Sequence, residues 1–238
     1  MSSQLYFRQL QSGRDFAIGD QMARQMLNFV YVIGDYETKE AVLVDPAYNP
    51  KELLQLVEAD GFNVTGVVGT HYHFDHVGGS MRGIAEVPGI AELLAEIDVP
   101  IHLQHQEVPW VSRATGVSES ALVGHDSDDE IYVGAIPIKL LHTPGHTPGS
   151  QCLLVDECLI TGDTLFLEGC GRTDLPGSDV EEMYTTLSQR LTQISGSTRV
   201  YPGHRYSTEP SATMQEVRHD NFVLAPYSKE QWLAMFGN

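Results

Sequence analysis

The densest chemistry in the sequence is the run Thr70-His71-Tyr72-His73-Phe74-Asp75-His76-Val77-Gly78-Gly79, with three imidazoles and a carboxylate in six positions. Alternate side chains of an extended segment share a side, so His71 and His73 can reach one metal ion. Asp75 and His76 follow where the chain is expected to turn. They aim at a neighbouring point and could hold a second ion. Neutral imidazole and carboxylate suit zinc, iron and manganese alike, so residue type leaves the metal open. A polar loop with clustered histidines is the plain alternative, and ligands arriving from elsewhere in the chain decide between the two.

The elements around this run supply such ligands. Leu5 to Leu10, Asn28 to Ile33 and Ala41 to Val44 read as strands, with a turn at Gly34-Asp35 and an opening antiparallel pair. Asn49-Pro50 reads as a helix N-cap with proline first, Leu53, Leu54, Leu56 and Val57 as its apolar face, and Gly61 as its stop. The apolar run Val64 to Val68 then delivers the chain to His71. Residues 80–128 read as a cap over the site, with a helix at Ile90 to Ile97, a short strand at Ile101 to Leu103 and a helix at Val108 to Ala114. His102, His105 and His125 lack ligand spacing and are assigned to packing or the surface, and Trp110 to the core.

Further strands run at Ile131 to Val133, Ile136 to Leu141, Gln151 to Val155, Leu159-Ile160 and Arg199 to Tyr201. Asp179 is expected to cap a helix with Val180, Met183, Leu187, Leu191 and Ile194 on its apolar face. Two more helical stretches lie at about 212–219 and 229–236. Four apolar strands thus end in potential ligands: the His71–His76 run, His146, Asp163 and His204. Gly145, Gly162 and Gly203 stand beside the last three, where tight backbone turns can approach an ion. Two β-rich halves, each closing with helix, argue an α/β sandwich of two sheets with helices outside.

At 238 residues with 42% hydrophobic content, the chain can bury a full core. No apolar run approaches the roughly 18–20 residues of a membrane span, and the start at Met1-Ser2-Ser3-Gln4 does not read as a secretory signal. Cys152, Cys158 and Cys170 are too scattered for a disulfide framework and fit a reducing cytoplasm. The net charge of −18 disfavours nucleic acid and anionic membrane as partners, since phosphate neutralisation needs Lys and Arg.

With the ligand-bearing strand ends in view, the sequence resembles the metallo-β-lactamase superfamily over roughly residues 28–206. The resemblance implies a four-layer αββα sandwich: one domain over 1–238, a cap-like insertion at about 80–128, and a short helical C-terminal tail at about 207–238. It implies one metal site of His71, His73 and His146 and another of Asp75, His76 and His204, with Asp163 bridging. His73 separates the chain from the flavodiiron branch, which carries glutamate there. Asp163 separates it from the lactamases proper that carry cysteine in the second site. The implied activity is hydrolysis by a metal-bridging hydroxide that Asp75 orients. Two divalent ions are implied, zinc foremost, with iron or manganese as alternatives. Cys170 and Ser150 then default to structural roles.

The stretch Thr161 to Asp179, containing Gly169-Cys170-Gly171-Arg172-Thr173-Asp174, resembles both the glyoxalase-II-like group and the persulfide dioxygenases. Both handle glutathione thiol derivatives, which makes Arg172 a candidate contact for an anionic substrate. A salt bridge to Asp174 or Asp179 is its equal alternative. Tyr206 matches a substrate-side tyrosine position in the dioxygenases. Two departures bear on the branch: 34 residues follow His204, where full-length glyoxalase II has a long helical glutathione-binding domain, and the 80–128 segment is long for the dioxygenases. The reading is a dinuclear hydrolase of a hydroxyacylglutathione-like thioester. The alternatives are a persulfide dioxygenase with a single Fe2+ on His71, His146 and Asp163, and a lactonase or other ester hydrolase. The expected partner is a small thiol-derived substrate, with homodimerisation open.

Overall fold

The computed structural model describes residues 4–81 and 85–237. Residues 1–3 and 238 of the expected 1–238 domain, and 82–84 of the expected insertion, lie outside the described residues. The chain opens with β1 (Leu5–Gln11), the short α1 (Gln21–Met26), β2 (Phe29–Asp35) and β3 (Glu40–Val44), the strands forming an antiparallel meander. The expected turn at Gly34-Asp35 belongs to β2 instead, because both residues pair with β1. Helix α2 (Pro50–Ala59) follows, with the Asn49 side chain accepting from Glu52 N and proline in its first turn. It delivers the chain to β4 (Asn63–Val68), parallel to β3.

Next come the one-turn α3 (Phe74–Val77), the antiparallel pair β5 (Gly79–Met81) and β6 (Ala85–Val87), α4 (Ile90–Glu96), β7 (Ile101–Gln104), α5 (Val108–Thr115) and β8 (Leu122–His125). Strands β7 and β8 extend the first sheet, whose order is β1-β2-β3-β4-β7-β8. The reading of 80–128 as a cap is therefore corrected: its strands are sheet, and Leu93 and Val111 of its helices join the core on the sheet's outer face. The strand expected at Ile101 to Leu103 is present as β7, but four residues are too short to show by period which sheet it joins.

The second half contains β9 (Glu130–Val133), β10 (Ile136–His142), β11 (Gln151–Val155), β12 (Cys158–Gly162), α6 (Val180–Thr185), β13 (Arg199–Pro202), β14 (Ala212–Thr213), α7 (Met214–Asp220) and α8 (Lys229–Phe236). These strands form the sheet β14-β13-β12-β11-β10-β9. The helix expected over 180–194 is not continuous. After α6 it widens to a π-helical stretch at Thr186–Arg190 and tightens to a 3-10 turn at Leu191–Gln193. In the wide turns Thr186 Oγ1 donates to Pro144 O, which ties the helix to the loop carrying His146.

Three apolar layers hold the sandwich. Phe29, Tyr31 and Ile33 of β2 meet Ile138 and Leu140 of β10 and Ile160 of β12 between the sheets. Val30 and Val32, the alternate β2 residues, face outward onto the layer with Leu53, Val57 and Leu93. Leu159 and Cys152 do the same on the other side, against Met183, Val217 and Trp232. Helices α7 and α8 are thus part of the outer layer rather than an appended tail, and Trp232 Nε1 donates to Val180 O. Each Leu, Ile or Val buried this way contributes about 1.5–3 kcal/mol, which fixes both sheets firmly enough to aim their loops at one point.

Candidate metal centre

The strand ends converge on one edge of the sandwich. After β4, Thr70 O accepts from Gln151 N at 3.0 Å and Gly69 O from Gln151 Nε2 at 2.8 Å, which stitches the first sheet to the start of β11. His71 and His73 follow this junction, and His73, extended, opens α3, on which Asp75 and His76 sit. His146 comes from the loop between β10 and β11, Asp163 from the end of β12, and His204 from just beyond β13. Gly162 has φ +47, and a Cβ there would stand 2.6 Å from Thr70 Oγ1. Gly203 is needed for closeness rather than for its φ: a Cβ would stand 2.4 Å from Asp163 Oδ1 and 2.9 Å from His76 Cε1.

Ligand-type atoms gather in two triads, His71-His73-His146 and Asp75-His76-His204, each within 4.8 Å. His73 Nδ1 lies 3.0 Å from His146 Nε2, and His76 Nε2 lies 3.2 Å from His204 Nε2. Asp163 touches both triads: its Oδ2 is 3.3 Å from His204 Nε2 and 3.7 Å from His146 Nε2, and its Oδ1 is 3.3 Å from His76 Nε2. Asp75 Oδ2 is 3.4 Å from His204 Nε2. All seven residues proposed from the sequence are therefore brought together.

The remaining ring nitrogens show how the imidazoles are oriented. A carbonyl can only accept, so His146 Nδ1–H donates to Arg172 O at 2.8 Å and His204 Nδ1–H to Met26 O at 2.7 Å. His76 Nδ1 meets Asp45 Oδ2 at 2.8 Å. The Thr70 hydroxyl gives its one proton to Asp45 Oδ2 at 2.6 Å, so it accepts from His71 Nδ1–H at 3.0 Å. Each of these four rings thus turns Nε2 inward, the arrangement by which outer partners set the tautomer of a metal-binding histidine.

The electrostatics suit a cation. Burial, then neighbouring imidazoles, push His71 well below the ordinary histidine range and His73 to about 3, and burial likewise lowers His146. These shifts favour the neutral ring, whose second nitrogen keeps a lone pair able to bind a metal. Burial also opposes charge on His76 and His204, but the Asp163 and Asp75 carboxylates outweigh it and raise both. Burial would raise Asp163, yet the charges of His204 and His76 hold it well below the carboxylate range. His71 Nε2 is buried without a hydrogen-bond partner, and Asp163 Oδ1, also without a well-formed hydrogen bond, has only the His76 ring 3.3 Å away. An orphaned buried acceptor such as His71 Nε2 costs about 1–3 kcal/mol unless something binds it, and the donor set of imidazoles and carboxylates fits a divalent metal. The grouping Asp45-His71-His76 also lies within 4.8 Å, but Asp45 is already committed to Thr70 N, Thr70 Oγ1 and His76 Nδ1.

Sequence reasoning missed the outer partners. Asp45 follows the apolar strand β3 as Asp163 follows β12, a signal that could have found it. Asn28 and Glu107 carried none. Asn28 Nδ2 donates to Asp75 Oδ2 at 3.0 Å, and its Oδ1 accepts from Tyr48 Oη at 3.0 Å. Arg172 places its carbonyl, not its guanidinium, at the site; the guanidinium is exposed and pairs with Asp174 at 2.7 Å. Asp179 instead caps α6. Tyr206 is exposed and stacks on His204, ring centroids 4.7 Å apart at 6°, which places it over the buried ring on the solvent side. Ser150 is buried and bonded to Thr147, and burial pushes the Cys170 thiol up to about 12. Trp110 is half-buried and stacks on Tyr72. His102 and His125 pair with each other at 2.9 Å, on β7 and β8.

Residues 24–231 match the family model described as Metallo-beta-lactamase superfamily. The chain is 27% identical to the probable polyketide biosynthesis zinc-dependent hydrolase PksB of Bacillus subtilis, covering 87% of this chain and 85% of that protein. It is 29% identical to the human mitochondrial persulfide dioxygenase ETHE1, covering 88% and 76%. Against the hydroxyacylglutathione hydrolase of Nitrosococcus oceani it is 32% identical over 75% of its own length, but spans only 62% of that protein. Among solved structures, ETHE1 from Myxococcus xanthus superposes with a TM-score of 0.79 at 28% identity, covering 98% and 90%. No helix among the described residues is long and apolar enough to cross a membrane.

Proposed function

The chain belongs to the metallo-β-lactamase superfamily, and from that premise we propose that it is a dinuclear metal-dependent hydrolase of a small thioester, of the hydroxyacylglutathione kind. One observation carries the reading: both donor triads are complete, and the Asp163 carboxylate contacts both. Two divalent ions, zinc foremost and iron or manganese also suited by ligand type, would lower the pKa of a bound water towards about 7 and polarise the thioester carbonyl. His71, His73 and His146 would hold one ion, and Asp75, His76 and His204 the other, with Asp163 shared.

The chain's own groups supply the rest. Asp75, its Oδ2 fixed by Asn28, is placed to orient the attacking water and take its proton. Tyr206 and Arg172, both exposed, stand where a substrate could be met from solvent. No side-chain nucleophile is needed: Cys170 is held as a thiol and Ser150 is tied into its loop. The proposed setting is a reducing cytoplasm, which the free Cys152, Cys158 and Cys170 fit.

A second reading has its own support. Similarity to ETHE1 runs over nearly the whole chain, whereas only part of the N. oceani hydrolase is spanned. His71, His146 and Asp163 make the two-His-one-carboxylate set that suits a single ferrous ion in a persulfide dioxygenase. A lactonase or other ester hydrolase uses the same donors as the first reading. One comparison separates them: metal content of anaerobically purified protein, with S-lactoylglutathione hydrolysis and oxygen uptake on glutathione persulfide measured in parallel. Two metals per chain with thioester cleavage and no oxygen uptake is the expected result. One iron per chain with oxygen uptake would overturn the hydrolase, and neither activity would leave other esters and lactones to be assayed.

A further inference from the structure

The start of α5 lies against the two loops that carry the three-histidine triad. Glu107, fully buried, accepts from Tyr72 N at 2.6 Å and Thr147 Oγ1 at 2.8 Å through Oε1, and from Gly149 N at 2.6 Å through Oε2. Tyr72 separates His71 from His73, and Thr147 follows His146 directly. One carboxylate therefore joins the backbone between two of the histidines to the loop of the third. None of its three partners is a cation: burial pushes the carboxyl up to about 7 while the three donors pull it back down, and each donor bonds the ionised form more strongly than a neutral one.

The neighbourhood is shaped around this contact. At Gly149 a Cβ would stand 2.4 Å from Glu107 N and 2.6 Å from Oε2, so the loop approaches more closely than a residue with a side chain permits. Three residues beyond Glu107, Trp110 stacks on the Tyr72 ring at 5.1 Å and 29°. Tyr72 Oη in turn donates to Pro176 O at 2.8 Å, in the segment whose Arg172 O orients His146.

We propose that Glu107 is a positioning residue for the His71-His73-His146 triad, clamping the 71–73 and 146–149 segments so that three imidazoles from two loops share one point. The proposal rests on the reading of that triad as metal donors. Because Glu107 touches neither Asp75, His76 nor His204, its loss acts on one ion and spares the other.

The test uses the full chain, Zn2+ as probe, and the variants Glu107→Ala, Glu107→Gln and Thr147→Val. In zinc-free protein, amide exchange at Tyr72 and Gly149 reads the clamp without any metal. Glu107→Ala is expected to speed both by at least roughly tenfold while Val67 and Ile160 stay unchanged. In chelator competition, one of two zinc ions is expected to bind roughly 10–100-fold more weakly, the other within about twofold. Glu107→Gln keeps one acceptor oxygen and falls between. Thr147→Val removes one donor and gives a smaller shift in the same ion if Glu107→Ala does not fold. Unchanged exchange, or equal weakening of both ions, overturns the proposal. A wild-type chain that takes up no zinc overturns the metal reading instead, while unaltered Tyr72 and Gly149 exchange in Glu107→Ala overturns the clamp on its own.

Discussion

His76 Nδ1 and Asp45 Oδ2 lie 2.8 Å apart, with both side chains almost wholly buried. The same oxygen accepts the Thr70 hydroxyl, which in turn receives His71 Nδ1–H. A single carboxylate thus sets the tautomer of one histidine in each donor triad, and so it stands behind both ion positions at once.

Replacing it should therefore damage both. For Asp45→Asn we expect each of two zinc ions to bind roughly 10–100-fold more weakly, in contrast to the one-ion effect of Glu107→Ala. The amide also presents an N–H₂ where only acceptors are wanted, so the zinc-free fold should lose about 1–3 kcal/mol. Chelator competition and urea denaturation measure the two effects. A loss confined to one ion would show that Thr70 does not transmit the orientation.

Gly203→Ala tests how closely the loops must approach. Its Cβ would meet Asp163 Oδ1 at 2.4 Å and the Gly162 carbonyl carbon at 3.0 Å. Displacing the shared carboxylate by even 1 Å is expected to lower kcat/KM about 100-fold, with a fall in thermal midpoint from overpacking a buried position. Gly19→Ala, where a Cβ would meet nothing within 4 Å, is the matched control. Thioester turnover unaltered in Gly203→Ala would remove Asp163 from the reacting centre.

Arg172→Ala separates two contributions of one residue. The carbonyl that holds His146 survives the substitution, and the pair with Asp174 is exposed and screened by water, so its loss costs little. Zinc affinity and stability should be unchanged. KM for an anionic thioester should rise several-fold with kcat held, the pattern of lost uniform binding. Steady-state kinetics read this directly, and an unchanged KM would confine the guanidinium to its salt bridge.

His102 gives a pH dependence remote from the metal centre. Burial, then the charge of His125 2.9 Å away, hold it down at about 4. Asp129, Asp126 and His105 also act on His125. The unfolded chain, with an ordinary value near about 6.5, binds the proton first. Stability from this group is therefore full above about 6.5 and is lost as pH falls towards about 4. His102→Gln should flatten that loss by about 1–2 kcal/mol, allowing for partial solvent exposure. Denaturation of metal-free wild type and variant at pH 7, 5 and 4 gives the difference, and parallel curves would refute it.

Much of the architecture was legible because local rules govern it. The Asn49-Pro50 helix start and the strands leading to His71, His146, Asp163 and His204 all stand where capping chemistry and apolar runs place them. Helix α1 was not legible. It has six residues and one buried side chain, Ala23, too little to show a period, yet its Met26 carbonyl orients His204. The break after α6 was equally hidden, since Met183, Leu187 and Leu191 keep a helical spacing through the π-helical turns.

The sequence by itself determined which residues could bind metal, because imidazoles and carboxylates were written at strand ends with their spacing intact. Only the tertiary structure decided how those residues are held. Asp45 and His76 are 31 positions apart, Asn28 and Asp75 47, and Glu107 and Gly149 42. A hydrogen bond across such a separation is set by which strands pair and which faces meet, and no local periodicity encodes it. The same holds for 80–128: only the pairing of β7 with β4 and of β8 with β7 revealed these strands as sheet rather than cap.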